Sequence, residues 1–240
     1  MIVADTHVHT IMSGHAHSTL LEYLAEAKKK DHKFLFITDH TGILGLCRDD
    51  VAYFLCMKAT IPETHDGIHI IRGCEVNILD ENATLDMRDD LLERSEWVIA
   101  SLHIYLHKPV SVEQTTDIWL KVAENPHVDV IGHCGETCWM FDKEAVIKKF
   151  AECGKIVEVN SASIRKSAEF RENTREILLV CKKYGVRVVV SSDVHFAPLL
   201  GVVDESLELL REIEYPEELI LNTDYERMAA VLSEKTGRRF

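Results

Sequence analysis

The sequence predicts an α/β fold, a single domain over residues 1–240 with parallel strands in a closed or nearly closed barrel of the (β/α) kind. Three observations predict it. Seven short runs rich in Val and Ile alternate with amphipathic helical stretches, an order that joins parallel strands by crossovers. Their apolar content suits strands covered on both faces. Nearly every run also ends in a histidine or a carboxylate, and in a barrel the C-terminal strand ends meet on one rim. An open doubly wound sheet shares the first two features; the third favours the barrel. A chain of 240 residues fits one such domain.

The first run is Ile2 to Val8. A helix over Leu20–Lys30 follows, with Thr19 and Glu22 as a capping box that satisfies free N–H groups at its start. The second run is Phe34–Thr38, the third Ile68–Ile78 and the fourth Trp97–His103. Ser111 and Gln114 form another capping box, opening a helix to about Glu124. The fifth run is Val128–His133, with Asp142 capping the next helix. The sixth is Lys155–Ser161. A helix from about Asn173 stops at Gly185, a residue suited to the left-handed position after a helix. The seventh run is Val186–Asp193, and helices near Asp204–Glu214 and Asp224–Glu234 close the chain.

The formal charge is −13, from 27 basic and 40 acidic residues. That disfavours a broad basic surface for nucleic acid, but not a small anionic substrate, because divalent ions in a cleft reverse the local field. The seven cysteines are odd in number and scattered, which is not a disulfide framework. Structural thiols in a reducing compartment fit better. There is no signal-peptide pattern and no apolar run of membrane-spanning length. The expectation is a soluble cytoplasmic protein. Arg48–Asp50 and Arg88–Asp90 read as solvated surface.

The stretch "DTHVHTIMSGHAHST" holds four of the thirteen histidines. Apolar residues run through it, so it is folded rather than a tag. Residues two apart on a strand share a face, which puts Asp5, His7 and His9 together, and neutral imidazole is the commonest protein metal ligand. Later runs end in Asp39 and His40, His103, His133, and Asp193 with His195, and the third carries Glu75. One histidine at a strand end is an ordinary loop residue. His7, His9, His15, His40, Glu75, His103, His133, Asp193 and His195 around one rim form a candidate metal site, since such a cluster without cations is costly.

The segments "DTHVHT", "ITDH", "RGCEVNI", "LH", "GHCG" and "SSDVH" resemble, in order and spacing, the PHP family, named for polymerase and histidinol phosphatase domains. The resemblance spans essentially the whole chain. His15 in "SGHAHST" makes it most similar to the small stand-alone bacterial members, which are phosphatases. The resemblance implies a distorted seven-stranded β/α barrel and three divalent ions, Zn, Mn or Fe. His7 and His9 would hold the first with Glu75 and Asp193. Glu75 would bridge to the second, shared with His103 and His133. His15, His40 and His195 would hold the third. Two departures stand out: "HCGE" where many relatives have His-Pro, and Phe196 where Thr or Ser often follows the last His. Cys134 reads as a structural thiol rather than a soft ligand, and Glu136 has no assigned role.

The implied reaction is hydrolysis of a small phosphate monoester, with metal-bound water, His195 or Asp193 as the source of the leaving-group proton. Arg165 and Lys166, in a basic loop after the sixth run, are candidate phosphate contacts, with a solvated loop as the alternative. Asp5 is a candidate acceptor behind His7, with a capping or salt-bridge role as the alternative. Glu158 and Asn160 share one face of the sixth run, and His17 is a surface or substrate-contact residue. Three other readings are carried forward: a histidinol phosphatase of histidine biosynthesis, an amidohydrolase-like metal hydrolase, and a non-catalytic metal-binding regulator. Oligomeric state is left open.

Overall fold

The computed structural model describes residues 1–42, 44 and 51–240. Cys47 and the Arg48–Asp50 run lie outside the described residues. Strands β1 (Phe34–Ile37), β2 (Thr64–His65) and β3 (Ile68–Arg72) form one sheet in the order β1-β3-β2. Strands β4 (Cys74–Asn77), β5 (Val98–Ser101), β6 (Val130–Ile131), β7 (Ile156–Asn160) and β8 (Val188–Ser191) follow in chain order in a second. Every pair in this second sheet is parallel.

The third run is not one strand. It divides at Gly73, which donates its N–H to Ile37, while Cys74 donates to Trp97 on the other side. A Cβ at Gly73 would lie 2.2 Å from the Trp97 carbonyl oxygen, so the change of neighbour requires glycine.

The first run forms no regular ladder. His9 donates its N–H to Val194 at 2.9 Å, and Thr38 donates to Val8 at 3.0 Å. The run therefore stands between β8 and β1, and a parallel bridge from His40 to Glu75 joins the end of β1 to β4. The strands thus form a distorted barrel whose joints are single bridges. In the first run Asp5, fully buried, accepts with its carboxylate the N–H groups of Ser192 at 3.1 Å and Gly201 at 2.8 Å. A side chain there serves as acceptor for backbone on the β8 side.

The expected capping boxes are present at Thr19/Glu22 and Ser111/Gln114, before helices Leu20–Lys29 and Val112–Glu124. Asp142 caps Lys143–Glu152. Two expectations are corrected. The stretch holding Arg165 and Lys166 is a helix, Ser161–Lys166, capped by Asn160, rather than a loop. The next helix starts at Ala168, capped by Ser167, instead of near Asn173, and ends at Gly185 with φ 66°. A helix over Val51–Thr60 was not anticipated.

Strand alternation divides the core. Phe34, Phe36, Trp97, Ile99, Val130, Ile156 and Val189 pack with Met228 and Leu232 of the helix Tyr225–Thr236. The intervening residues Leu35, Ile37, Val98, Ala100, Val157 and Val190 join a larger cluster with the surrounding helices. Glu158 and Asn160 follow Ile156 on the inner face, as Ser191 follows Val189. The barrel interior is therefore apolar toward the C-terminal helix and polar toward the strand ends.

Candidate metal centre

Glu75, 1% exposed, stands at the centre of the polar end. Its Oε2 lies 2.8 Å from His40 Nδ1, 3.2 Å from His7 Nε2 and 3.4 Å from His9 Nε2. Its Oε1 lies 3.2 Å from His133 Nε2 and 3.5 Å from His103 Nε2. Asp193 Oδ1 lies 3.3 Å from His9 Nε2 and 3.7 Å from His7 Nε2. His195 and His15 complete the rim, with their Nε2 atoms 2.8 Å apart. All nine residues expected to bind metal thus converge on one end of the barrel.

Backbone geometry helps to place two of them. His133 and Asp193 have φ of 25° and 53°, values uncommon outside glycine. His133 follows Gly132, whose added Cβ would strike Ser101 Oγ on the inner face at 2.1 Å. Strict alternation would then turn His133 outward, and its positive φ brings the ring back toward Glu75. Strained backbone of this kind clusters at functional sites.

Hydrogen bonds on the far side of several rings set the inward-facing nitrogen. His7 donates from Nδ1 to Glu158 at 2.6 Å, and His9 from Nδ1 to the Ser13 hydroxyl at 2.9 Å. His103 donates from Nδ1 to Asn77 Oδ1 at 2.7 Å. The Asn77 amide is oriented in turn, since its Nδ2 donates to Thr41 O at 3.2 Å and Asp86 Oδ2 at 2.6 Å. His15 and His195 donate from Nδ1 to the carbonyls of Ser13 and Asp193, each at 3.0 Å. In these five rings Nδ1 is engaged by an outer partner and Nε2 faces the centre, the arrangement that such partners impose on metal-ligating imidazoles.

The electrostatics agree. Burial would raise Glu75 and Asp193, but His7 with His40 and His103 holds Glu75, and His7 with His9 holds Asp193, well below the usual carboxylate range. Burial takes His103 down to about 3 against the opposing pull of Glu75. His9 also lies well below its ordinary value through burial and the neighbouring His40. Burial would likewise lower His7 and His133, yet Glu158, Glu75 and Asp193 hold His7 well above its ordinary value. Glu75 brings His133 up to about 9. Cation binding at those two rings must displace protons.

The donor set fits divalent metal. Glu75 Oε2, His7 Nε2, His9 Nε2 and His40 Nδ1 are buried and have no hydrogen-bond partner among the described residues, although they crowd together. Unsatisfied buried polar atoms are costly, and a cation would satisfy all four at once. Likewise, the His15 and His195 Nε2 atoms face each other 2.8 Å apart, a pair of nitrogens that one shared cation would satisfy. The donor atoms of three overlapping sets lie within 4.8 Å of one another: His7, His9 and Glu75; His40, Glu75 and His103; and His9, His40 and His195. Mixed imidazole and carboxylate ligation suits zinc and its first-row neighbours.

Other candidates fall further out. Arg165 pairs with Glu205 at 2.8 Å and Lys166 with Glu136 at 3.2 Å, both part-exposed. Glu136 also lies 3.9 Å from His133 Nδ1. Cys134 is buried in the apolar core, and burial pushes its thiol up to about 12. His17 is exposed. Asp5 does not orient the His7 ring, because Glu158 takes that hydrogen; Asp5 holds backbone instead. Ser13 and Asn77 carried no functional expectation. The available signals were the position of Asn77 two residues after Glu75 and a polar Ser13 between His9 and His15.

A parallel barrel whose strand ends gather imidazoles and carboxylates is an arrangement suited to a metal-dependent enzyme of the barrel class. Residues 5–234 match the family model described as PHP domain, and the chain belongs to that family. A protein named probable phosphatase from Caldicellulosiruptor saccharolyticus is 41% identical over 229 residues, 95% of each chain. Another of that name, from Caldanaerobacter subterraneus subsp. tengcongensis, is 39% identical over 239 residues, 99% of this chain and 93% of that one. The fold is similar to the crystal structure of histidinol phosphate phosphatase from Lactococcus lactis, complexed with zinc, L-histidinol and phosphate. The TM-score is 0.65 at 16% identity, covering 88% of this chain and 94% of that one.

Proposed function

We propose that this chain hydrolyses small phosphate monoesters at a centre of three divalent ions. His7, His9, Glu75 and Asp193 hold the first, Glu75, His103 and His133 the second, and His15, His40 and His195 the third. The observation that carries this reading is the group of buried, unpartnered donor atoms around Glu75 Oε2. Divalent ions in such a site supply Lewis acidity toward phosphoryl oxygens and lower the pKa of water.

The chain's own residues hold and orient. Glu75 turns one oxygen to His7, His9 and His40 and the other to His103 and His133, so one carboxylate joins both halves of the cluster. Asp193 Oδ1 and His195 Nδ1 lie 3.8 Å apart at the part-exposed rim, and the leaving-group proton is assigned to this corner, from His195 or from a water that ionised Asp193 would orient. Arg165 and Lys166 are assigned to the substrate phosphate. Their present pairs are part-exposed, and such pairs are worth little, so a phosphate dianion can compete for them. Among the described residues no helix is long and apolar enough to cross a membrane; a cytoplasmic location is part of this reading.

The test is phosphate release by protein reconstituted with Mn or Zn, from histidinol phosphate, nucleotides, sugar phosphates and aryl phosphates, with His9→Ala as control. Release from several monoesters, lost in the variant, supports a general phosphatase. Release from histidinol phosphate alone assigns the specific one. Full metal loading without phosphate release from any ester contradicts the proposal and favours an amidohydrolase or a regulator.

A further inference from the structure

Ser13 belongs to none of the assigned ligand sets, yet three assigned ligands meet on it. It is fully buried. Its hydroxyl accepts from His9 Nδ1 at 2.9 Å and from the His40 backbone N–H at 3.1 Å, and donates to Asp39 Oδ1 at 2.7 Å. Its carbonyl accepts from His15 Nδ1 at 3.0 Å. A hydroxyl has one hydrogen and two lone pairs, so this hydroxyl is fully used. Asp39 also accepts from the Thr10 N–H at 2.6 Å, the Thr10 hydroxyl at 2.8 Å and the Tyr53 hydroxyl at 2.6 Å. The Ser13 hydrogen therefore goes to Asp39, and His9 must donate its Nδ1 hydrogen to Ser13.

Local backbone explains how one residue reaches three ligands. Ile11–Ser13 is a single tight turn capped by Thr10, and Gly14 follows in the left-handed region at φ 83°. Asp39 grips both ends of that turn, at Thr10 and at Ser13, and is itself next to His40. The ring centroids of His9 and His40 lie 4.3 Å apart, and those of His15 and His40 5.1 Å.

We propose that Ser13, backed by Asp39, is a positioning residue of the metal centre: its hydroxyl fixes the nitrogen that His9 presents to the first ion and holds the His40 backbone beside it, while its carbonyl fixes that of His15 at the third. The inference rests on the metal centre proposed above. A purely structural serine would lower thermal stability in its absence and leave the metal count alone. A positioning serine changes the affinity of one ion out of three.

The experiment uses the full chain, stripped with chelator and titrated with Zn²⁺ or Co²⁺ against a competing chelator. The readouts are ions retained per chain and the visible absorption of the cobalt form. Wild type is expected to retain three ions. Ser13→Ala is expected to hold one of them about 10–100-fold more weakly, the usual effect of removing a ligand's outer partner, and to lose part of the cobalt spectrum. Ser13→Thr keeps the hydroxyl and is expected to restore both. If Ser13→Ala fails to fold, Asp39→Asn replaces it, with the same single-ion loss expected. Wild-type affinities and spectrum in a folded Ser13→Ala or Asp39→Asn protein would overturn the role of Ser13 while leaving the centre intact. A wild type that retains no ion would overturn the centre and this inference together.

Discussion

His7 is held between two carboxylates: its Nδ1 donates to Glu158 at 2.6 Å while its Nε2 faces Glu75 at 3.2 Å. Glu158 also accepts the Ser191 hydroxyl at 2.6 Å and the His133 N–H at 2.7 Å, so it ties two assigned ligands to β8. Glu158→Gln turns one of these two acceptor oxygens into an amide N–H that faces at least one of the three donors. Metal affinity is expected to fall about 10–100-fold, read by chelator competition. Unchanged affinity would remove Glu158 from the site.

Asn77 orients His103 only because its amide is itself fixed by Thr41 and Asp86. Asn77→Asp has the same shape but sets a carboxylate against Asp86 Oδ2, where the amide now donates at 2.6 Å. Losing that buried bond is expected to cost about 1–3 kcal/mol, measured by urea unfolding of metal-free protein. Stability equal to wild type would show that the amide is not fixed as described.

Gly73 lets the third run pass from β1 to β5 as neighbour and so carries Glu75 into place. Gly73→Ala forces a methyl group into the Trp97 carbonyl, 2.2 Å away. Overpacking of this kind costs about 1–3 kcal/mol, and because the backbone before Glu75 must move, metal binding should weaken with stability. A drop in melting temperature with intact metal affinity would separate the two.

His32 supplies a pH dependence away from the centre. It packs against Gly201, and burial takes its imidazole down to about 4, with Lys30 pushing the same way. Between about pH 4 and the unfolded value near 6.5, the unfolded chain binds the proton and the folded one does not. Its contribution to stability is therefore complete above about 6.5 and is lost as the pH falls toward 4. His32→Gln is expected to flatten that part of a plot of urea midpoint against pH. Superimposable plots would contradict it.

Much of the barrel was legible because its strands are short apolar runs and its ends carry chemically distinctive side chains. His40, His103, His133 and Asp193 are far apart in sequence yet share one position, just past the end of a strand, and topology does the rest. What escaped reading depends on contacts that no pattern carries. "IHIIRGCEVNI" looks continuous, and only the Trp97 carbonyl shows why Gly73 divides it. The Val51–Thr60 helix is apolar without a marked face. Glu158 drew attention as a carboxylate inside "IVEVN", but its partner lies 151 positions away at His7. Asp5 looked like a partner for His7 because the first run was read as a regular strand, whereas its carboxylate is spent on the backbone at Ser192 and Gly201.

The measurement that tests the central claim most directly is phosphate release from an aryl phosphate as chelator-stripped protein is titrated with Mn²⁺ or Zn²⁺. The account predicts no release without metal, a rise that saturates at about three ions per chain, and none from His9→Ala at any metal concentration. Release that survives chelation, or full metal binding with no release from any phosphate ester, would contradict it.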